Sequence, residues 1–462
     1  MLLKSKLNDI KKVLDTDNVL ATLEERYCYS KDASNFKSNT KIPDLVVFVK
    51  TIEEVQMVLK YANIHNIPVI ARGAGTNMVG ACNCTQGGIV INFSKMNKIL
   101  DINPVNLTAK VQPGVVLGDL KTEVEKFGLF YPPDPSNYKV STIGGSIAQS
   151  SGGAQAFKYG TTKDYILSLK VVTADGSLMK LGVDTSKNAT GYNLSSLIVG
   201  SEGTLAIVVE ATLKLIPLPE TKSVMLAYFN SIDDAVGVVN EIITSGVFPV
   251  SIDYMDNNSM TTVNNFINSG FKTEYNCVLL IDFDGSISSV ENSCRKVKDI
   301  VKGHSGVDIF LPSSKEEMEL IWRARRASFA AATRLAPDVV SDDLIVPREN
   351  LANLIKTCNN VAKEQDLKIC LVGHIGDGNL HPQFVLDLNN EVEYRNYMLA
   401  KSMIYKTVIE LGGTISAEHG IGLEKKEYLR YVLDADAINY MKHIKRLFDP
   451  NNILNPDKIF DI

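Results

Sequence analysis

IPVIARGAGTN, residues 67–77, closes a run of strand character and turns at once into a glycine-rich loop. A strand that feeds such a turn aims successive backbone N–H groups inward, where an anion can be held. The dinucleotide fingerprint of a doubly wound sheet does not fit. Met78 stands where the third glycine of G-x-G-x-x-G belongs, and the acidic residue that should follow about 20 positions on is missing from Asn92 to Met96. The continuation, MVGACNCTQGG, reads as an extended loop and not a helix. A tight turn without a ligand is the plain alternative for this run alone. Two further runs, Thr142-Ile143-Gly144-Gly145 with Gly152-Gly153, and Gly200-Ser201-Glu202-Gly203-Thr204, add places where backbone can approach a ligand closely.

Around this loop the chain reads first as strand, helix, strand. DLVVFV is followed by Thr51 and Glu54, spaced as a capping box, and Val55, Val58, Leu59 and Ala62 then share one helical face. GGIVINF, LTAKVQPG, ILSLKVVTADG and TLAIVVEATLKLI are short strands separated by glycine turns. Pro217 and Pro219 mark a boundary. Beyond it VMLAYF, a helix over DDAVGVVNEIITS and VSIDYM form one β-α-β unit, and CVLLIDF, a helix around 288–302 and VDIFL a second. A helical segment at 315–335, a third β-α-β unit over 339–375 and a helix over 391–411 follow. The fold class expected is α+β: domain 1–219, a mixed domain 220–415 resembling a split β-α-β, ferredoxin-like sheet with helices on one side, and a C-terminal helical segment 416–462 packing back on the first.

Composition narrows the function classes. A chain of 462 residues with 45% hydrophobic and 22% charged content is ordinary for a multi-domain globular protein. A net charge of −5 without a basic block argues against general nucleic-acid binding. The seven cysteines form no C-x-x-C pair, so neither a zinc ribbon nor an iron–sulfur cluster is encoded. Cys82 and Cys84 read as small semi-buried residues. MLLKSKLNDIKKVLD has the pattern of an amphipathic helix without a signal peptide's apolar core, and no run reaches transmembrane length. A cytoplasmic protein is expected.

GHIGDGNLH, residues 373–381, and SAEHGIG, residues 416–422, carry the chemistry. His374 and His381 flank the turn signal Gly376-Asp377-Gly378-Asn379, which folds the chain back and can bring both imidazoles to one side. Any lone histidine is more often structural, but three of the chain's six histidines lie in these two motifs. Glu418-His419 adds a carboxylate and a further imidazole in a glycine-flanked loop, and such donors suit Zn²⁺, Mn²⁺ or Fe²⁺. Arg325, in WRARR, is either part of a solvated helix face or a bidentate carboxylate partner.

RGAGTN, PPDPSN–STIGG, YGTTKDYILSLKVVTADG and GSEGTLAIV, in this order, resemble the FAD-binding domain of the vanillyl-alcohol oxidase/p-cresol methylhydroxylase (PCMH) superfamily. GHIGDGNLHP and SAEHGIG resemble the C-terminal signatures of FAD-linked D-2-hydroxy-acid dehydrogenases, and the likeness runs from about residue 40 to the ILNPDKIF tail. The resemblance implies FAD contacts at Arg72, Gly73, Ala74, Gly75, Thr76, Asn77, Pro133, Asp134, Thr142, Gly145, Ser146, Gly152, Glu202, Gly203 and Ile207. It implies a divalent metal on His374, His381 and Glu418, His419 as base, and Arg325 as the clamp on the substrate carboxylate. No histidine stands in the first loop, so the FAD is expected to be non-covalent. Members acting on 2-hydroxyglutarate carry a lysine where this chain has Ser341, which favours a short acid such as D-lactate or glycolate. The resemblance is nearest to the lactate dehydrogenase subunit of anaerobes, implying an electron-transferring flavoprotein partner of the bifurcating type. A glycolate oxidase-like subunit serving an iron–sulfur subunit or a quinone is the alternative. A non-redox metal hydrolase and an inert flavin-binding subunit are the readings from other classes.

Overall fold

A computed structural model describes residues 16–462, so the helix expected at MLLKSKLNDIKKVLD lies outside the described residues. The chain divides into two compact units: residues up to Ser151 with Thr161–Leu218 and Glu418–Ile462, and Gly152–Gly160 with Pro219–Ala417. The short excursion 152–160 therefore leaves a first domain that the sequence reads as continuous. Its side chains explain why. The Phe157 ring lies 5.1 Å from that of Phe248, and the Tyr159 hydroxyl donates to Asp284 at 2.7 Å, both partners belonging to the second unit. Among the described residues no helix is long and apolar enough to cross a membrane.

In the first unit the strands Leu45–Phe48, Ile89–Asn92 and Val69–Arg72 pair in parallel, with Val19–Leu20 antiparallel at the edge. The helix Ile52–His65 starts at the expected capping box, where the Glu54 N–H donates to Thr51 Oγ1 at 3.2 Å. It buries Val55, Val58, Leu59 and Ala62 and stops where Asn66 turns left-handed at φ 51°. A second, antiparallel sheet runs in the order 99–103, 108–111, 207–214, 166–172, 178–182. The tail returns to the start of the strand Val69–Arg72 and bridges Val69 alone: the Val69 N–H donates to Ile453 O at 2.7 Å and the Asn455 N–H to Val69 O at 2.8 Å. The strand that feeds the glycine-rich turn is thus anchored at its first residue by the tail.

The second unit is built on an eight-stranded antiparallel sheet in the order 308–310, 221–229, 277–285, 251–256, 368–373, 379–386, 338–341, with 344–345 also pairing 379–386. It is larger than a four-stranded split β-α-β sheet because the residues after the GDGN turn form a fully buried strand, Asn379–Leu386. Helices cover both faces and not one. Val224, Leu226, Met255, Val278 and Leu280 pack against Met260, Val263, Ile321, Ala324 and Ala331 of three helices. Met225, Ala227, Leu279 and Ile281 on the opposite face are buried too, beside the helices Ile232–Thr244 and Ile287–Gly303. The helix Asn257–Ile267 escapes sequence reading because its run, NNSMTTVNNFI, is mostly polar.

Candidate functional site

The glycine loops of the first unit meet at close range. A Cβ on Gly73 would lie 2.1 Å from Thr142 Oγ1, so only glycine fits there. Gly75 sits at φ 71°, which L residues with a side chain adopt reluctantly. Thr142 caps a short helix, Ile143–Gln149, its Oγ1 accepting from the Gly145 N–H at 3.3 Å. Ser146 lies within that helix, Gly203 turns at φ 69°, and Ile207 opens the strand Ile207–Lys214.

Several expected cofactor residues use their side chains locally. Arg72 Nη1 donates to Lys31 O at 2.8 Å, and its guanidinium carbon lies 5.6 Å from the centre of the Tyr29 ring. Asp134, next to buried Pro133, is paired with Lys121 at 2.8 Å. Asn77 Oδ1 accepts from the Val79 N–H at 2.9 Å while its Nδ2 donates to His419 O at 3.0 Å. Gly152 belongs to the second unit. What fits a bound FAD is the orphaned polar lining. Ser141 Oγ, Ser146 Oγ, Gln149 Oε1 and Ser201 Oγ are buried without a hydrogen-bond partner among the described residues. Buried polar atoms rarely stay unsatisfied, and a polar cofactor lying on these loops would supply the partners. His65 ends the helix before the loop, its ring 4.4 Å from that of Tyr61.

The loop bearing Glu418 and His419 belongs to this unit. His419 Nε2 stands 3.8 Å from Glu418 Oε1. Just beyond, Glu202 accepts the Ile421 N–H at 2.7 Å and the Gly422 N–H at 2.9 Å. Burial pushes the Glu202 carboxyl up to about 7, against the pull of those two N–H groups.

In the second unit, strand register gathers the remaining residues. Successive side chains alternate between faces, so the pairs Met255↔Val372 and Val372↔His381 put Asp253, His374 and His381 on one face. The turn expected at GDGN does bring the two imidazoles together, with ring centres 5.2 Å apart and planes at 81°. His374 Nδ1 lies 2.9 Å from Asp253 Oδ1, and His381 Nδ1 lies 3.2 Å from Asp342 O and 3.8 Å from Asp343 Oδ1. An acceptor at Nδ1 favours the proton there, so that Nε2 is the nitrogen that could hold a cation, an outer arrangement common around histidine metal ligands. The two nitrogens fit a divalent cation.

Arg325, near the end of the helix Lys315–Arg326, is buried, so the solvated-face reading fails for it. Its Nε forms an ion pair with Asp253 Oδ2 at 2.7 Å, although the angle there is outside hydrogen-bond geometry. Nη2 is buried with no hydrogen-bond partner among the described residues. Burial alone would raise the Asp253 carboxyl, but His374 and Arg325 hold it below the ordinary value. Sequence reasoning missed Asp253 and the pair Asp342-Asp343. The available signal was an acid inside an apolar strand run, VSIDYM and VVSDDLIVP. Asp343, fully buried, accepts from Asn379 Nδ2 at 2.9 Å, Ser416 Oγ at 3.0 Å and the Ala417 N–H at 2.8 Å. It therefore fixes the chain immediately before Glu418.

Comparison with known proteins agrees with this architecture. Residues 43–182 match the FAD binding domain family, and residues 218–459 match the FAD linked oxidases, C-terminal domain family. Glycolate oxidase subunit GlcD of Bacillus subtilis (strain 168) is 42% identical over 94% of this chain and 92% of its own length. D-lactate dehydrogenase of Anaerostipes hadrus is 35% identical over 90% and 89%. D-2-hydroxyglutarate dehydrogenase of Stutzerimonas stutzeri (strain A1501) is 30% identical over 98% of each. A crystal structure of p-cresol methylhydroxylase superposes with a TM-score of 0.85 over 99% of this chain and 97% of that one, at 17% identity, which speaks for the fold alone. The fold is that of a PCMH-type FAD-binding protein. The chain belongs to the FAD-linked D-2-hydroxy-acid dehydrogenase family.

Proposed function

We propose that the protein oxidises a short D-2-hydroxy acid, D-lactate to pyruvate, with non-covalent FAD and a divalent metal on His374, His381 and Glu418. The observation that carries this reading is the sharing of Asp253. One buried carboxylate steadies both an imidazole of the proposed metal set and the arginine whose Nη2 has no hydrogen-bond partner among the described residues. Arg325 binds the substrate carboxylate through its planar fork. His419 takes the hydroxyl proton, an imidazole being suited to that exchange near neutrality. As the proton leaves, the carbonyl forms and the Cα–H electron pair departs as hydride. FAD held by the glycine loops of the first unit would supply the hydride acceptor, and a divalent cation on His374, His381 and Glu418 would make the hydroxyl more acidic.

Ser341, where a cation would serve a second carboxylate, lies buried opposite Gln383, which favours a monocarboxylate. Electrons would then pass to a protein partner, and the resemblance to the lactate dehydrogenase subunit of anaerobes supports an electron-transferring flavoprotein of the bifurcating type. A second reading, glycolate oxidation with delivery to an iron–sulfur subunit or quinone, is favoured by the 42% identity to the Bacillus subtilis glycolate oxidase subunit.

Anaerobic mixing of the yellow protein with D-lactate, L-lactate, glycolate and D-2-hydroxyglutarate separates these readings. D-lactate bleaches the flavin fastest on the first reading and glycolate on the second. Dithionite bleaching without response to any hydroxy acid removes both. Companion chains carrying FAD but no clusters, co-purified from the native host, support the flavoprotein partner; cluster-bearing chains support the alternative.

A further inference from the structure

We propose that Glu202 is a positioning residue for the Glu418-His419 loop, its carboxylate acting through the backbone and not as a contact of the cofactor. The inference rests on the reading of His419 as base. Glu202 is only 4% exposed, and its own backbone is fixed on both sides: its N–H donates to Ala148 O at 2.8 Å and its carbonyl accepts from Asn455 Nδ2 at 2.7 Å. It holds φ 53°, a left-handed conformation uncommon for a residue with a long side chain. From there Oε1 accepts the N–H groups of Ile421 at 2.7 Å and Gly422 at 3.1 Å, and Oε2 accepts Gly422 again at 2.9 Å.

The loop is shaped to that grip. A Cβ on Gly420, at φ 85°, would lie 2.7 Å from Glu202 Oε1 and 2.5 Å from Gln149 Oε1. A Cβ on Gly422 would lie 2.1 Å from Val79 O. At the base itself, Asn77 Nδ2 holds the His419 carbonyl at 3.0 Å. His419 therefore sits in a backbone segment held at its own carbonyl and again at residues 421 and 422, in a loop with no regular structure of its own. Both Glu202 oxygens must be acceptors, because each faces a backbone N–H. An amide would oppose one of those donors with another donor. A base displaced by about 1 Å can lose 10²-fold in rate while the binding of cofactor and substrate elsewhere is untouched.

The test uses the FAD-loaded full chain and Glu202→Gln, Glu202→Asp and Gly420→Ala, with FAD content and the kinetics of anaerobic flavin reduction by D-lactate or glycolate as readouts. Positioning predicts wild-type FAD content, a limiting reduction rate lower by about 10²-fold and a half-saturating acid concentration changed by no more than about twofold. Glu202→Asp keeps the charge but is one methylene short, so a purely electrostatic role would spare it and a positioning role would not. Gly420→Ala leaves Glu202 intact and displaces the loop from it, so it decides the matter if the Glu202 variants do not fold. A reduction rate near wild type in these variants, or activity lost only in proportion to FAD, overturns the proposal. Wild-type protein that no hydroxy acid bleaches overturns the reading of function as well, whereas bleached wild type with an undiminished Glu202→Gln rate overturns the positioning role alone.

Discussion

His374 Nδ1 lies 2.9 Å from Asp253 Oδ1, inside the sheet, with the carboxylate fully shielded from solvent. The other oxygen of that carboxylate is 2.7 Å from Arg325 Nε. Arg325 and His374, which the proposed function gives to the substrate carboxylate and the metal, are thereby tied to one side chain.

Replacing Arg325 by Lys separates these roles. A point charge cannot reproduce the planar fork, so kcat/KM for a 2-hydroxy acid should fall by roughly 10- to 100-fold, the worth of one charge-assisted hydrogen bond. Steady-state kinetics measures this. An unchanged kcat/KM would return Arg325 to a structural role as the partner of Asp253.

Asp343→Ala removes the acceptor for Asn379 Nδ2, Ser416 Oγ and the Ala417 N–H together. Losing a hydrogen-bond partner that orients the residues beside metal ligands typically weakens binding by about 10- to 100-fold. Titration of chelator-stripped protein with Zn²⁺ or Mn²⁺ should show the drop, while FAD content remains at the wild-type level. Equal metal affinity in variant and wild type would sever Asp343 from the metal site.

Acid precipitation should leave a colourless pellet and a yellow supernatant. The expectation follows from the first loop, which contains no histidine, and from His65, whose ring packs on Tyr61. A yellow pellet would show a covalent tether.

Stability should also respond to pH through Asp256. Burial pushes its carboxyl up to about 6, against the hydrogen bond from Ser259 as it caps the helix Asn257–Ile267. A raised carboxyl stabilises the fold below its unfolded value, and that contribution is lost as pH rises through 6. Asp256→Asn, which keeps the cap, should therefore gain on wild type by about 3 kcal/mol between roughly pH 4 and pH 7. Urea unfolding at the two ends of that range measures it. A pH-independent difference would contradict the raised value.

Much of this architecture is legible in the sequence. The capping box at Thr51, the strand into Arg72 and the turn between His374 and His381 are local signals, decided by residues within a few positions of one another. The shared Asp253 was not legible, since its partners come from a helix and another strand and only the sheet register brings them together. Residues 152–160 and the polar helix Asn257–Ile267 escaped for a related reason. Their assignment depends on contacts with Phe248, Asp284 and the sheet, and not on any period of their own.

The most direct test of the proposed chemistry is rapid-mixing flavin reduction by D-lactate or glycolate in metal-loaded wild type and His419→Ala. With FAD and metal content equal, the variant should be slower by about 10²-fold or more, the ordinary contribution of a general base. Reduction of His419→Ala at the wild-type rate would remove the base from the mechanism and leave the proposed chemistry without its proton acceptor.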